Sequence, residues 1–507
     1  MRRLITLTAG LTLGAGLAIA PILAGPASAH GDKGADLREA RTSLLASGED
    51  TALRSGNVQH LANKPGTAGI SGCFTKTAPL FVTSGLESVQ VWNVKDATDP
   101  TRVGVLQNAV FENEAMNCGE RRTEDGTRRF ALIGVDLYQA SAADPQHFNA
   151  GGNEVVVVDV TDPTAPEIVG RAPAQTSTHT VACVDDYNCR YAYSAGDSGS
   201  GTFSIIDLRN IEKPREVDSN PDKAGVQAFR SPTAGHKWNF DNAGIGTHTG
   251  WDGSSMWNVD RPRHPRLLAT TGKAGGAGDA AGAKGYNDFI HHNSFRPNAK
   301  AFRAHSRPSL ANGNVLLVTE EDYEQTDCAK AGSFQTWHIR SLNGGRGGIV
   351  PLDKVELADL GNFPSPRGAF CSAHWFDYRP GGIVAIGYYG GGTQFIDVRH
   401  PRALKSHGYA HWGISEVWDA MWVPVYDRRG NQTGASSNVV LAVDLARGLD
   451  VYSVDVPGDG RGSNPYPSAV TDRSVVGRIS NGAVPIGLVG AALALGAALH
   501  RRSRRQT

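Results

Sequence analysis

Residues 155–166 read VVVVDVTDPTAP, and this short stretch decides the fold. Its run of β-branched residues predicts a buried strand. Asp159 can bond its own backbone and start a turn, and Pro166, seven residues later, opens the next strand, where a missing N–H is tolerated. The pattern returns in LFVTSGLESVQVWNVKDATDP (80–100), FSIIDLRNIEKP (203–214), SMWNVDRPRHP (255–265) and GGTQFIDVRHPRAL (391–404), the last with Leu404 in place of the proline.

Two weaker copies, at 314–342 and 438–455, bring the number of units to seven. One unit cannot bury both of its faces, so units must stack, and alternating residues such as Val155, Val157 and Ile205 are expected between the sheets. Spacings of roughly 50–80 residues are typical of propeller blades with loop insertions. The sequence therefore predicts an all-β, seven-bladed β-propeller over residues 67–456. A solenoid is the structural alternative, although it requires shorter periods and capping units.

Four segments resemble the LVIVD-repeat family of exported bacterial proteins. They are NVQHLANKPG (57–66), VVVVDVTDPTAPEIVG (155–170), IIDLRNIEKPREV (205–217) and LAVDLARGLDVYSVD (441–455). The resemblance covers roughly residues 57–456, and its most specific piece is the run from Asp444 to Asp450. It implies a β-propeller without a settled activity, in which NVQHLANKPG would be the lead-in to the first blade.

The N-terminus has the features of a secretory signal peptide over residues 1–29. Arg2 and Arg3 precede an apolar stretch, and Ala27-Ser28-Ala29 provides a cleavage site. A retained membrane anchor is the alternative. Residues 30–66 then read as a charged, helix-compatible lead-in to the propeller.

The C-terminus predicts a membrane tether. Residues 457–482 are a Gly-, Pro- and Ser-rich linker, and 483–499 are uncharged and just long enough for a transmembrane helix. Four arginines in the tail, 500–507, favour a cytoplasmic end. The chain is thus expected at the extracellular face of the bacterial cell membrane, with a shed form as an alternative.

Charge and cysteine content agree with export. The chain is formally neutral, which does not favour a nucleic-acid partner. Six cysteines in an exported protein predict disulfides. We predict a hairpin closed by Cys183 and Cys189, together with the pairs Cys73–Cys118 and Cys328–Cys371, although sequence alone does not fix the connectivity. Zinc ligation is the alternative, but close CxxC pairs are missing.

Histidines stand near the start of the opening strand of several units. They are His179, His236, His291, His292 and His374. Equivalent positions in adjacent blades would point into one central channel, where imidazoles could hold zinc, copper or iron. Asp419 stands at a similar place and could act as a ligand or orient one. The alternative is that these histidines pack within blades. Their placement also resembles that in selenium-binding-protein-type propeller oxidases.

The acidic residues Glu320, Glu321 and Asp322 form a second candidate, a propeller loop holding calcium; a solvated charged loop is the alternative. No hydrolase elbow or phosphate loop is present. Two functions follow from the sequence. The favoured one is a tethered scaffold that binds an extracellular protein or glycan. The other is a metal-dependent, possibly redox, enzyme with its site in the channel.

Overall fold

The computed structural model describes residues 52–457, apart from 67–68, 86–87, 108–113, 136–152, 197–200, 277–285, 323, 326, 345–347 and 362–370. The described chain begins with two short strands, β1 (Ala52–Arg54) and β2 (Val58–Lys64). Both pair with strands from the far end of the sequence, described below. The signal peptide, the linker, the tether helix and the tail lie outside the described residues. Within the described residues, no helix is long and apolar enough to span a bilayer.

Seven antiparallel sheets follow one another along the chain and form a seven-bladed β-propeller. Blades 1 and 2 consist of β3 (Gly69–Phe74), β4 (Leu80–Gly85), β5 (Ser88–Asn93) and β6 (Thr101–Gln107), then β7 (Asn117–Thr123), β8 (Gly126–Val135), β9 (Glu154–Asp159) and β10 (Glu167–Pro173). Blades 3 and 4 consist of β11 (Thr180–Cys183), β12 (Tyr191–Ala195), β13 (Thr202–Asp207), β14 (Arg215–Glu216) and an extra β15 (Phe229–Arg230), then β16 (Gly235–Phe240), β17 (Ile245–Gly250), β18 (Gly253–Asn258) and β19 (Arg266–Thr270).

Blades 5 and 6 consist of β20 (Ile290–Phe295), β21 (Val315–Glu321), β22 (Ser333–Ile339) and β23 (Ile349–Val355), then β24 (Phe376–Arg379), β25 (Ile383–Gly387), β26 (Thr393–Asp397) and β27 (Lys405–Trp412). Blade 7 consists of β28 (Val417–Tyr426), β29 (Gln432–Asp444) and β30 (Gly448–Val454), with β2 as its fourth strand. The described helices are short: α1 (Leu357–Leu360) and three 3-10 turns at Gly272–Gly275, Ala299–Ala301 and Leu310–Asn312.

The recurring Asp/Asn–Pro pattern builds the turn between the third and fourth strands of a blade. Asp159 Oδ1 accepts the backbone N–H of Thr161 at 2.7 Å, and Asp207 Oδ1 accepts that of Arg209 at 3.0 Å. Pro166 then immediately precedes β10. The prediction that a local side-chain bond starts the turn and the proline opens the next strand is confirmed.

Apolar side chains from neighbouring blades form the core between the sheets. Val155 and Val157 of blade 2 pack with Val181 and Ile206 of blade 3, and all are nearly inaccessible to solvent. Burying one such side chain stabilises the fold by about 1.5–3 kcal/mol. Because every blade has two such faces, the predicted stacking of seven units follows from their sequences.

The N-terminal strands close the ring. β2 pairs with β30 and completes blade 7, while β1 pairs with β27 at the edge of blade 6. The predicted division into a helical lead-in at 30–66 and a propeller from 67 is therefore wrong for residues 52–64. NVQHLANKPG is largely a blade strand, because β30 offers it an unpaired edge that would otherwise remain exposed.

All three predicted disulfides are present. Cys73–Cys118 joins blades 1 and 2, Cys183–Cys189 closes the turn between β11 and β12, and Cys328–Cys371 joins the β21–β22 connection to the segment that leads into blade 6. No described cysteine is free. Three disulfides in one chain are typical of an oxidising compartment.

Candidate metal centre on the propeller axis

The first strand of each blade lies nearest the axis, and in four blades it begins with a β-bulge. The register of β16 against β17 skips His236, and the register of β20 against β21 skips His292. The same irregularity leaves Ile70 extra in β3 and Trp418 extra in β28. A bulge redirects a side chain away from the regular alternation of a strand. Here it leaves one residue from each of these strands available to the axis.

In the other three blades, a residue that lies one to three positions before the first strand takes the same place. These residues are Glu114 in blade 2, His179 in blade 3 and His374 in blade 6. A parallel bridge between Ala115 and Thr180 sets Glu114 beside His179. In blade 6, the His374 N–H donates to Gly387 O at 2.9 Å. The seven positions form an axial ring: Ile70, Glu114, His179, His236, His292, His374 and Trp418.

The four histidines of the ring converge on Glu114 through their Nε2 atoms. His236 Nε2 lies 3.2 Å from Glu114 Oε2, and His292 Nε2 lies 3.2 Å from Glu114 Oε1. His374 Nε2 lies 2.5 Å from Glu114 Oε1, and His179 Nε2 also contacts this carboxylate. All five side chains are almost completely buried. Residues from five consecutive blades thus meet around one carboxylate.

Glu321, at the end of β21, is a second carboxylate of this cluster. Its Oε2 lies 3.6 Å from His292 Nε2, and its Oε1 accepts a 2.6 Å hydrogen bond from the Tyr389 hydroxyl. Tyr389 has φ +47°, an unusual value for a bulky residue and one often found at functional sites. One donor atom each from Glu114, His236, His292 and Glu321 lies within 4.8 Å of all the others.

The surroundings favour uncharged imidazoles. Burial lowers the pKa of His236, partly offset by the Glu114 carboxylate, and burial lowers the pKa of His292 well below its usual range. His374 Nδ1 donates to Trp418 O at 2.7 Å, so in the neutral ring the lone pair is on Nε2, which faces the axis. Neutral imidazole with an accessible nitrogen lone pair is the form that binds metal ions.

Two residues predicted for the metal site lie outside the cluster. His291 points to the other side of β20, where its Nδ1 is 2.9 Å from Ser254 Oγ and its Nε2 donates to Tyr286 O at 3.0 Å. The bulge explains this, because it brings His292 to the axis and leaves His291 packed on Trp337 inside the blade. Asp419 follows the axial Trp418 and faces a neighbouring cavity.

The predicted calcium loop is wrong, because the structure does not bring its three carboxylates together. Glu320 and Glu321 belong to strand β21, where successive side chains point to opposite faces. Glu320 accepts a 2.6 Å hydrogen bond from Ser333 Oγ, whereas Glu321 reaches the axis. Asp322 Oδ1 caps the backbone N–H groups of Glu324 and Gln325, each at 3.1 Å.

A cavity of about 330 Å³, called here the axial chamber, opens next to the cluster. Its wall includes the residue after each axial position in six of the seven blades: Ser71, Ala115, Lys237, Asn293, Trp375 and Asp419. The Trp375 ring lies 4.1 Å from the His292 ring, centroid to centroid, and is thus shared between cluster and chamber. Burial lowers the pKa of Lys237 to about 8, and burial raises that of Asp419 to about 8.

The class of protein is therefore a seven-bladed β-propeller with a buried His₄Glu₂ cluster on its axis. No family model matches the chain, so the LVIVD resemblance stays a prediction. No curated protein matches it either.

Two solved structures are similar to the chain at low sequence identity. One is the β-propeller domain of Cps50 (Swd1) from Myceliophteria thermophila, with a TM-score of 0.45 and 11% identity, covering 78% of this chain and 100% of that one. Another is hydrazine synthase from Kuenenia stuttgartiensis, with a TM-score of 0.45 and 10% identity, covering 78% and 98%.

Proposed function

We propose that the chain binds a first-row transition metal at the axial His₄Glu₂ cluster and works as a metal-dependent enzyme. The observation that carries this proposal is the convergence of four histidine Nε2 atoms, from four different blades, with two carboxylates in a buried channel. Buried imidazoles and carboxylates that converge on one point are the donor groups that divalent ions bind.

The dimensions and donor types suit such an ion. Nitrogen and oxygen ligands lie about 2.1 Å from a bound zinc ion, so two ligands on opposite sides are about 4.2 Å apart. The four-residue set spans at most 4.8 Å and would need to contract by only a few tenths of an ångström per ligand. Imidazole with carboxylate, and no thiolate because the described cysteines are in disulfides, favours iron, copper or zinc.

The axial chamber supports catalysis over a purely structural role. A structural metal site is closed, whereas a catalytic one keeps a position open to substrate or water. The chamber shares the Trp375 wall with the cluster and is large enough for a small molecule. Such a centre would supply Lewis-acid or redox chemistry to a substrate held there.

The test is metal analysis of the full chain purified without chelator or affinity tag. We expect about one metal per chain in the wild type, and loss of it in the double variant His236→Ala/His374→Ala. The matched control is His291→Gln, next to His292 in sequence but facing away from the axis. It should keep the metal. A folded wild type that takes up no copper, zinc or iron after incubation, or a His291 variant that loses metal as the double variant does, would overturn the proposal.

We propose export and membrane tethering as the setting for this activity. The support is the signal-peptide pattern, the apolar segment 483–499 and the three disulfides. A binding scaffold, favoured on the sequence alone, is the second candidate, because the propeller fold is consistent with it. Metal analysis discriminates between the two, since a scaffold has no need of a loaded axial site.

A further inference from the structure

One of the charged side chains that line the axial chamber, Lys237, has no close carboxylate partner among the described residues. Lys237 Nζ lies 4.8 Å from the centre of the Trp375 ring, and no carboxylate oxygen of the described residues is within 4.0 Å of it. Lys76 and Asp186, which also line the chamber, form their own pair at 3.3 Å. The Lys237 ammonium is thus a cation that faces the chamber without a carboxylate partner from this part of the chain.

Two carboxyl groups face the same space. Asp377 Oδ2 accepts the backbone N–H of Trp422 at 2.9 Å, and Asp419 Oδ1 accepts that of Ala420 at 2.8 Å. In the described residues, neither has a lysine, arginine or histidine nitrogen within 4.0 Å. The Asp419 side chain is buried, and the Asp377 side chain is partly exposed.

This arrangement discriminates between classes of ligand. A simple anion would pair with Lys237 but would add a negative charge beside Asp377 and Asp419, and a simple amine would add a positive charge beside Lys237. A neutral ligand would compensate neither group. Because burying a charge without an opposite charge beside it is unfavourable, the best ligand is one with both charges at separate ends.

We propose that the axial chamber binds a small zwitterion of the amino-acid type, with its carboxylate on Lys237 and its ammonium on Asp377 and Asp419. The apolar part of the molecule would lie against the indole of Trp375. This inference rests on the proposed function, since the bound molecule would be the substrate of the neighbouring metal centre.

Calorimetric titration of the full chain tests it with defined probes. The zwitterions are L-alanine, 4-aminobutyrate and 6-aminohexanoate, and the matched single-charge probes are butyrate and butylamine. We expect at least one zwitterion to bind at least about tenfold more tightly than both single-charge probes. Lys237→Met and Asp419→Asn should each weaken that binding at least about tenfold. Lys330→Met, which changes an exposed lysine that does not line the chamber, should not.

The two proposals fail in different ways when metal content is measured on the same samples. Metal in the wild type without binding of any zwitterion overturns the chamber proposal alone. Equal affinity for butyrate or butylamine overturns it as well, because the second charge then contributes nothing. A zwitterion that binds a chain unable to hold metal overturns only the metal centre. Retained metal in the Lys237 variant shows that the variant is folded, so that its lost binding reports on the chamber.

Discussion

Replacement of Asp450 by asparagine should weaken the closure of the propeller more than any change in its exposed ion pairs. Asp450 stands on β30, opposite the N-terminal strand β2, and its carboxylate is only 1% exposed. It accepts hydrogen bonds from Arg447 Nε at 2.8 Å and Asn63 Nδ2 at 2.9 Å, and it lies 2.8 Å from His60 Nε2. Two of these partners belong to β2, so one carboxylate joins the two ends of the ring.

The magnitude follows from burial. The Arg447 side chain is 4% exposed and stacks 3.8 Å from the Trp412 ring, so Asp450→Asn leaves a buried guanidinium without this carboxylate. Such a loss costs about 3–5 kcal/mol. The matched control is Asp99→Asn, which breaks the ion pair between Asp99 and Lys64 of β2. Asp99 is 63% exposed, and an exposed pair contributes about 0–1 kcal/mol.

Denaturant unfolding of the full chain measures both variants. We expect a lower midpoint for Asp450→Asn at an unchanged slope, and almost no change for Asp99→Asn. The pH dependence has a definite sign. Burial alone would raise the pKa of Asp450, but hydrogen bonds from His60 and Arg447 outweigh it and lower the pKa. The stabilisation is therefore complete above about pH 4 and is lost as the pH falls further. Equal losses in the two variants would refute the reasoning.

Three further predictions concern the disulfides, the chamber and the metal cluster. Cys73→Ala/Cys118→Ala should lower the free energy of unfolding by about 4 kcal/mol and Cys183→Ala/Cys189→Ala by about 2 kcal/mol, because the first disulfide closes the longer loop; equal losses in urea unfolding would contradict this. Burial raises the pKa of Asp419 to about 8, so its ionisation destabilises the folded chain as the pH rises from about 4 to about 8. Asp419→Asn should therefore flatten the decline of unfolding free energy over that range, and an unchanged slope would count against a buried carboxyl. Tyr389→Phe removes the hydrogen bond to Glu321 and should weaken metal binding about 10–100-fold in a competition titration with a chelator, without changing the stoichiometry. Unchanged affinity would show that the hydroxyl does not orient the ligand.

Local patterns predicted most of the fold. Blades 1 to 4 repeat a strand, an Asx turn and a strand-opening proline, and these depend on side chains bonding their own backbone. Closure by β2 was not predicted, because it pairs residues almost 400 positions apart and Val58–Lys64 has no distinctive local signal. The charged residues around this segment favoured a helix. Residues 58–64 form a strand instead, because they pair with the open edge of β30.

The candidate site was predicted in part for a similar reason. Equivalent placement in the repeats identified His179, His236 and His374, because a propeller brings the first strand of every blade to one axis. It could not choose between His291 and His292, since that choice depends on a one-residue bulge. Glu114 was missed, because it precedes β7 in a segment without the repeat pattern and its residue type differs from that of its equivalents.

The axial ring is divided in a way that bears on its chemistry. Blades 2 to 6 contribute Glu114 and the four histidines, whereas blades 7 and 1 contribute Trp418 and Ile70, which pack together with Tyr389 and Leu445. Donors thus occupy one continuous arc of the axial ring, and apolar side chains occupy the rest of it. A low-polarity wall strengthens every electrostatic interaction beside it and excludes competing water. A ring of seven donors would bind an ion from all sides. Blades 7 and 1 add no donor to the ring, so an ion bound on the axis would keep part of its coordination free of protein ligands, as a catalytic site requires.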